Sequence, residues 1–231
     1  MTITSIILAH FKEREGNLKR IVDDLLGGTV VPQEVIVFID NPSITFTDDR
    51  VTIIRSTHSF LPIIRFAIGS VCDTDYCFFI DDDLSVKSKT LENMVKYANL
   101  YPRAILGLEG SILRSDSPTP YSHDTPIGRG SILVKVDVVT RTYFCSRESI
   151  FPGLVLKTMF PYLPKISLDD VYLCLGNKYF KNDSNYVIPV DEETGLTELS
   201  DGGVGQSLSD NHYSNRNKVC RFLMDKYETN N

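Results

Sequence analysis

The chain has 231 residues, 42% of them hydrophobic, and a formal net charge of −6 at pH 7, which is enough length and apolar content for one α/β core. The acidic balance and scattered Lys and Arg exclude a nucleic acid held by charge alone, although a metal and a few local arginines can still neutralise a diphosphate. No stretch approaches the roughly 18 apolar residues of a membrane helix, and MTITSIILAHFKERE has no basic region before its short apolar run, so the expectation is a cytoplasmic protein without a membrane segment.

The first hundred residues alternate short apolar runs with amphipathic ones, the rhythm of βαβ units about a mostly parallel sheet. Strands are expected over residues 4–9, 34–39, 51–55 and 75–80, and helices over 16–26, 60–71 and 89–101, with Gly27 and Gly28 stopping the first helix. After Pro102 the pattern shortens to strands over 104–108 and 111–113, a polar Pro/Ser stretch over 115–126, and Gly128-Arg129-Gly130 leading into a strand over 131–136. A helix is expected over 168–179, a strand over 185–189 and a closing helix over 209–227. Residues 191–206, with Gly195, Gly202, Gly203 and Gly205 and no apolar period, read as a mobile loop or lid. The five cysteines, 72, 77, 145, 174 and 220, have no CxxC spacing and read as reduced, buried thiols.

The segment YCFFIDDD, Tyr76 to Asp83, reads as a buried strand ending in three carboxylates. Strand alternation puts Asp81 and Asp83 on one side and Asp82 on the other. In open α/β sheets ligands sit beyond the carboxyl ends of the strands. Two hard oxygen donors there suit a divalent metal that holds a phosphate-bearing substrate. The plainer alternative is a solvated aspartate cluster capping a helix start. A calcium loop fits less well, because Val86 stands where that loop needs glycine and a strand precedes the carboxylates.

Two further pairs carry chemistry. Asp169 and Asp170, in SLDDVYLCLG, open a helix whose dipole stabilises the anion, and in a cleft such a carboxylate can accept a hydroxyl proton. Ser167, Asp169 or Asp170 can equally be a plain N-cap. His212 and Arg216 are four apart on one helical face. They can offer an imidazole to a metal and a guanidinium to a diphosphate, or simply solvate the helix.

These three elements in this order resemble the GT-A glycosyltransferases, most nearly the exostosin-like catalytic domain and next the family-2 transferases. The resemblance implies one GT-A α/β domain over 1–231. A mostly parallel nucleotide-binding sheet flanked by helices would occupy 1–101, and a smaller loop-rich acceptor half with the C-terminal helix 102–231. It implies a metal-dependent enzyme moving a sugar from a nucleoside diphosphate sugar, UDP being the commonest carrier, to a glycan or small-molecule hydroxyl. Asp83, Asp81 and His212 would hold Mn²⁺ or Mg²⁺. Arg14, Asp40, Arg65, Asp81, Asp82 and Arg216 would bind the donor, and Asp170, Asp169 and Arg216 would carry the chemistry. Likeness to inverting family-2 enzymes makes Asp170 a general base; likeness to the retaining exostosin-like enzymes makes it position the acceptor. The glycine turn Gly128-Arg129-Gly130-Ser131 would lie beside the donor sugar, and the Gly-rich segment would close over it. Two alternatives remain. A haloacid dehalogenase-like phosphatase also has a strand ending in DxD, though here Leu84-Ser85 follow and four elements precede it. The other is a non-catalytic metal- or sugar-binding module.

Overall fold

The computed structural model describes residues 1–121, 127–128, 130–163, 168–205, 208–209 and 211–228. In chain order the first half comprises β1 (Ile3–Ala9), α1 (Glu15–Leu26), β2 (Glu34–Ile39), β3 (Thr52–Arg55), α2 (Ile64–Val71), β4 (Tyr76–Asp81), β5 (Leu84–Val86) and α3 (Thr90–Leu100). The second half comprises β6 (Ile105–Gly107), β7 (Glu109–Ser111), β8 (Ile127–Gly128), β9 (Val134–Val136), β10 (Val138–Thr140), β11 (Thr142–Ser146), α4 (Phe151–Met159), α5 (Asp169–Lys181), β12 (Asn185–Val187), β13 (Leu196–Glu198) and α6 (His212–Tyr227).

All seven residues of β1 are buried, as in a strand covered by helices on both faces. It pairs in parallel with β2 and β4 at the centre of an eight-stranded sheet of order β3-β2-β1-β4-β11-β6-β12-β9. Only β11 and β9 run against the rest. Alternation along β1 and β4 divides the core. Ile7, Phe78 and Ile80 pack with Leu18 and Ile21 of α1 and Met94 of α3. Ile6, Cys77 and Phe79 pack on the opposite face with Phe66 of α2, Leu156 of α4, Val171 of α5 and Val219 of α6. Each such side chain contributes roughly 1.5–3 kcal/mol on leaving water.

Helix α5, which begins at Asp169, is pressed onto α4 by two glycines. A Cβ on Gly176 would stand 2.5 Å from the Gly153 nitrogen, and one on Gly153 would stand 2.6 Å from the Leu173 Cα. The two helices cross backbone to backbone, which fixes where the first turn of α5 points. Asn182 closes α5 in the left-handed conformation, φ 55°, a residue that tolerates it.

Three expectations change. Strand alternation stops at Asp81: Asp82 and Asp83 form a turn into β5, so all three carboxylates reach one cleft. The expected lid is strapped down instead. Its 196–198 segment pairs with β5, Leu199 N–H donates to the Asp83 carbonyl at 2.8 Å, and Asn17 Nδ2 donates to the Ser200 carbonyl at 2.7 Å. Its backbone supplies the bonds, so no apolar period was needed. Strand β11, inserted between β4 and β6, and helix α4 have no counterpart in the expected elements. All five cysteines are buried and free, and among the described residues no helix is long and apolar enough to cross a membrane.

Candidate active site

The carboxyl ends of β1 and β4 open onto a cleft of about 660 Å³. The turn after β1 contributes His10, Phe11 and Arg14; the turn after β4 contributes the three aspartates; the start of α5 contributes Asp169 and Asp170; and α6 contributes His212, Tyr213 and Arg216. Crossover connections force these segments together, because successive parallel strands end at the same sheet edge.

Arginines meet most of the acids. Arg14 Nη1 donates to Asp82 Oδ1 at 2.7 Å and Nη2 lies 3.2 Å from Asp83 Oδ2, while its Nε donates to the Asp201 carbonyl at 3.0 Å. Arg65 bridges two elements: Nη1 donates to Asp81 Oδ1 at 2.6 Å and Nη2 lies 3.0 Å from Asp169 Oδ2. Its guanidinium lies 5.4 Å from the Tyr143 ring centre. Arg216 donates to Asp170 Oδ2, and the Tyr121 ring lies 4.1 Å from the Arg216 guanidinium. The other Asp170 oxygen accepts from the Val171 N–H at 2.8 Å. Buried charges survive only when paired and hydrogen-bonded in this way.

Burial outweighs these partners at three positions, Asp82, Asp83 and Asp169. Asp82 is pushed up to about 6 by desolvation, opposed by Arg14 and reinforced by Asp81 and Asp83. Asp169 is likewise pushed up to about 6 by burial, opposed by Arg65 and reinforced by Asp170. In the unfolded chain an aspartate titrates near about 3.9. Between that value and 6 the native protein holds more protons than the unfolded one, so stability falls as pH rises through this window. Asp169→Asn removes one of these contributions. Urea unfolding at pH 4, 5 and 6 is expected to give a shallower decline than wild type, and an unchanged decline would place the titrating group elsewhere.

Arg14, Arg65, Asp81, Asp82, Asp83, Asp169, Asp170, His212 and Arg216 all line the one cleft. Asp40 does not. Its side chain is 1% exposed behind His10, whose Nδ1 lies 2.7 Å from Asp40 Oδ1, so it orients a cleft residue without facing the cleft. Gly128 lines the cleft, whereas Arg129 and Ser167 lie outside the described residues. Sequence reasoning missed Arg141, Glu109, Glu198 and Tyr121, which also line the cleft. Arg141 left one trace: a lone charge between the apolar runs VVT and TYF.

The GT-A resemblance implies a divalent cation. Among the described residues no three His, Cys, Asp or Glu side chains gather closely enough to hold one unaided, so the expected trio of Asp81, Asp83 and His212 is not assembled. Asp81 and Asp83 stand at the cleft as hard oxygen donors, Asp81 paired with Arg65 and Asp83 with Arg14 and Arg141; donors of this kind suit Mg²⁺, which is commonly held by one or two carboxylates and completes its shell with water and substrate phosphate.

No protein-family model matches the sequence, and no curated protein matches it. Among solved structures the fold is similar to that of S. aureus TarS 1-349, determined in complex with UDP-GlcNAc, with a TM-score of 0.56 over 90% of this chain at 14% identity. The chain spans 61% of that structure. A likeness at this identity speaks for the fold, and the α/β fold of GT-A type expected from the sequence is the one observed: a large, mostly parallel sheet flanked by helices.

Proposed function

We propose that this protein is a GT-A glycosyltransferase that moves a sugar from a nucleoside diphosphate sugar, with UDP as carrier, to a hydroxyl of a glycan or small molecule. The observation that carries the reading is the convergence in one cleft of the aspartate triplet, the Asp169-Asp170 pair and four arginines, at the carboxyl edge of a parallel sheet. The UDP-GlcNAc in the similar TarS structure supports the same reading.

Charge sets the cofactor requirement. Among the described residues eight carboxylates and four guanidiniums line the cleft, an excess of negative charge that repels a diphosphate arriving alone. A divalent cation halves this excess. Asp81 and Asp83 would hold it, and it would neutralise the charge that builds on the departing diphosphate. Arg216 has the fork to grip a phosphate bidentately, and Asp170 beside it faces the acceptor, orienting or deprotonating the incoming hydroxyl.

Thermal unfolding against UDP, GDP, dTDP and CDP, each with and without Mn²⁺, tests this. A ligand at about 100 times its Kd adds roughly 2.7 kcal/mol, so a rise in Tm with UDP only when Mn²⁺ is present is expected. Asp83→Ala is expected to abolish that metal-dependent rise. No rise with any nucleotide would reject the reading; phosphate release from simple phosphoesters would favour the phosphatase, and metal-dependent affinity without donor turnover the binding module.

A further inference from the structure

Strands β10 and β11 belong to different sheets and are joined by a single residue, Arg141. Its φ of 64° lies in the left-handed region, where glycine sits without strain and a long side chain does not. Backbone strain of this sort persists where the surroundings demand that particular residue. The demand here is visible in the side chain. Arg141 Nη1 and Nη2 donate to the two oxygens of Glu198, each at 2.9 Å. Nη2 also reaches Asp83 Oδ1 at 3.3 Å, and Nη1 lies 3.5 Å from Glu109 Oε2.

One guanidinium thus faces three carboxylates from three separate segments: the turn after β4, strand β7 and strand β13. Its backbone acts on the same turn, since the Arg141 carbonyl accepts the Asp81 N–H at 3.2 Å. The residue therefore holds Asp81 through its main chain and Asp83 through its side chain. Strand β13 is held as well, because Glu198 carries the bidentate pair and the next residue, Leu199, donates to the Asp83 carbonyl. A glycine at this position would satisfy the backbone and lose all three carboxylate contacts.

We infer that Arg141 is a positioning residue of the donor site: it sets the direction of the Asp83 carboxylate and pins β13 beside it, so that Asp83 meets cation and diphosphate in one orientation. This rests on the donor-site reading above. Groups that orient metal-binding carboxylates are worth about 10–100-fold in metal affinity, which fixes the size of the expected effect.

The test compares wild type with Arg141→Gly, Arg141→Ala and Arg141→Lys. Mn²⁺ affinity is read by electron paramagnetic resonance, UDP affinity in saturating Mn²⁺ by calorimetry, and the ligand-free Tm by thermal unfolding. Arg141→Gly relieves the left-handed backbone, so its ligand-free Tm is expected at or above that of Arg141→Ala. Its Mn²⁺ and UDP affinities are expected to fall about 10–100-fold. Arg141→Lys keeps the charge without the fork and is expected to lose less; it also serves as the readable variant if Arg141→Gly does not fold. Affinities for Arg141→Gly within about twofold of wild type, alongside an altered Tm, would make Arg141 a structural residue only and overturn the inference. A wild-type protein that binds neither Mn²⁺ nor UDP would instead end the donor-site reading, and the positioning role with it.

Discussion

Arg65→Ala lowers the unfolding free energy by about 3–5 kcal/mol, the usual cost of stripping one partner from a buried ion pair. Arg65 is 4% exposed and joins Asp81 on the sheet edge to Asp169 at the start of α5. Its removal leaves Asp169, itself 4% exposed, without its nearest counter-charge. The midpoint of urea unfolding measures the loss. Arg65→Met combined with Asp169→Asn removes charge from both sides and is expected to recover most of the stability, since an apolar replacement of a buried pair is often neutral. Equal losses in the single and double variants would show that the guanidinium's contacts with Asp81, Phe66 and Tyr143 matter more than its pairing with Asp169.

Asp170→Asn is expected to slow turnover of the nucleotide sugar by about 10²–10⁴-fold, the range for a positioned acid–base group, while UDP affinity stays near wild type. Released nucleoside diphosphate measures the first, calorimetry the second. The split follows from geometry. Asp170, at the start of α5, would reach the donor only through Arg216 of α6, whereas the aspartate triplet and Arg14, in the turns after β4 and β1, would meet it directly. An equal fall in UDP affinity would move Asp170 into the donor site. Removing its charge also leaves Arg216, 4% exposed, less well paired, so the ligand-free Tm is measured alongside to separate chemistry from folding.

The parallel half was legible because its signals are local. Strands buried on both faces read as unbroken apolar runs, and α1 buries Leu18, Ile21, Val22 and Leu25 at helical spacing. The Asp169-Asp170 and His212/Arg216 pairs, either of which has a plain structural reading, stood out through their order after the acidic triplet and their spacing, whereas the triplet itself stood out because three carboxylates directly after an apolar strand have few structural uses. Asp40 misled for the same reason: the end of β2 looked like a site, and only the fold put His10 between it and the cleft.

Residue order alone determined the class of fold, the sheet edge onto which the cleft opens and nine of the residues that line it, since each depends on patterns a few residues long. The tertiary structure decided the rest. Strand β11 pairs with β4 across more than sixty residues of sequence, and β13 reaches back to β5 across more than a hundred; such pairings are made by backbone groups that every residue carries. Arg141, Glu109 and Glu198 become one cluster only when those strands meet. Their partnership is a property of the assembled sheets, because no local spacing brings three distant carboxylates to one guanidinium.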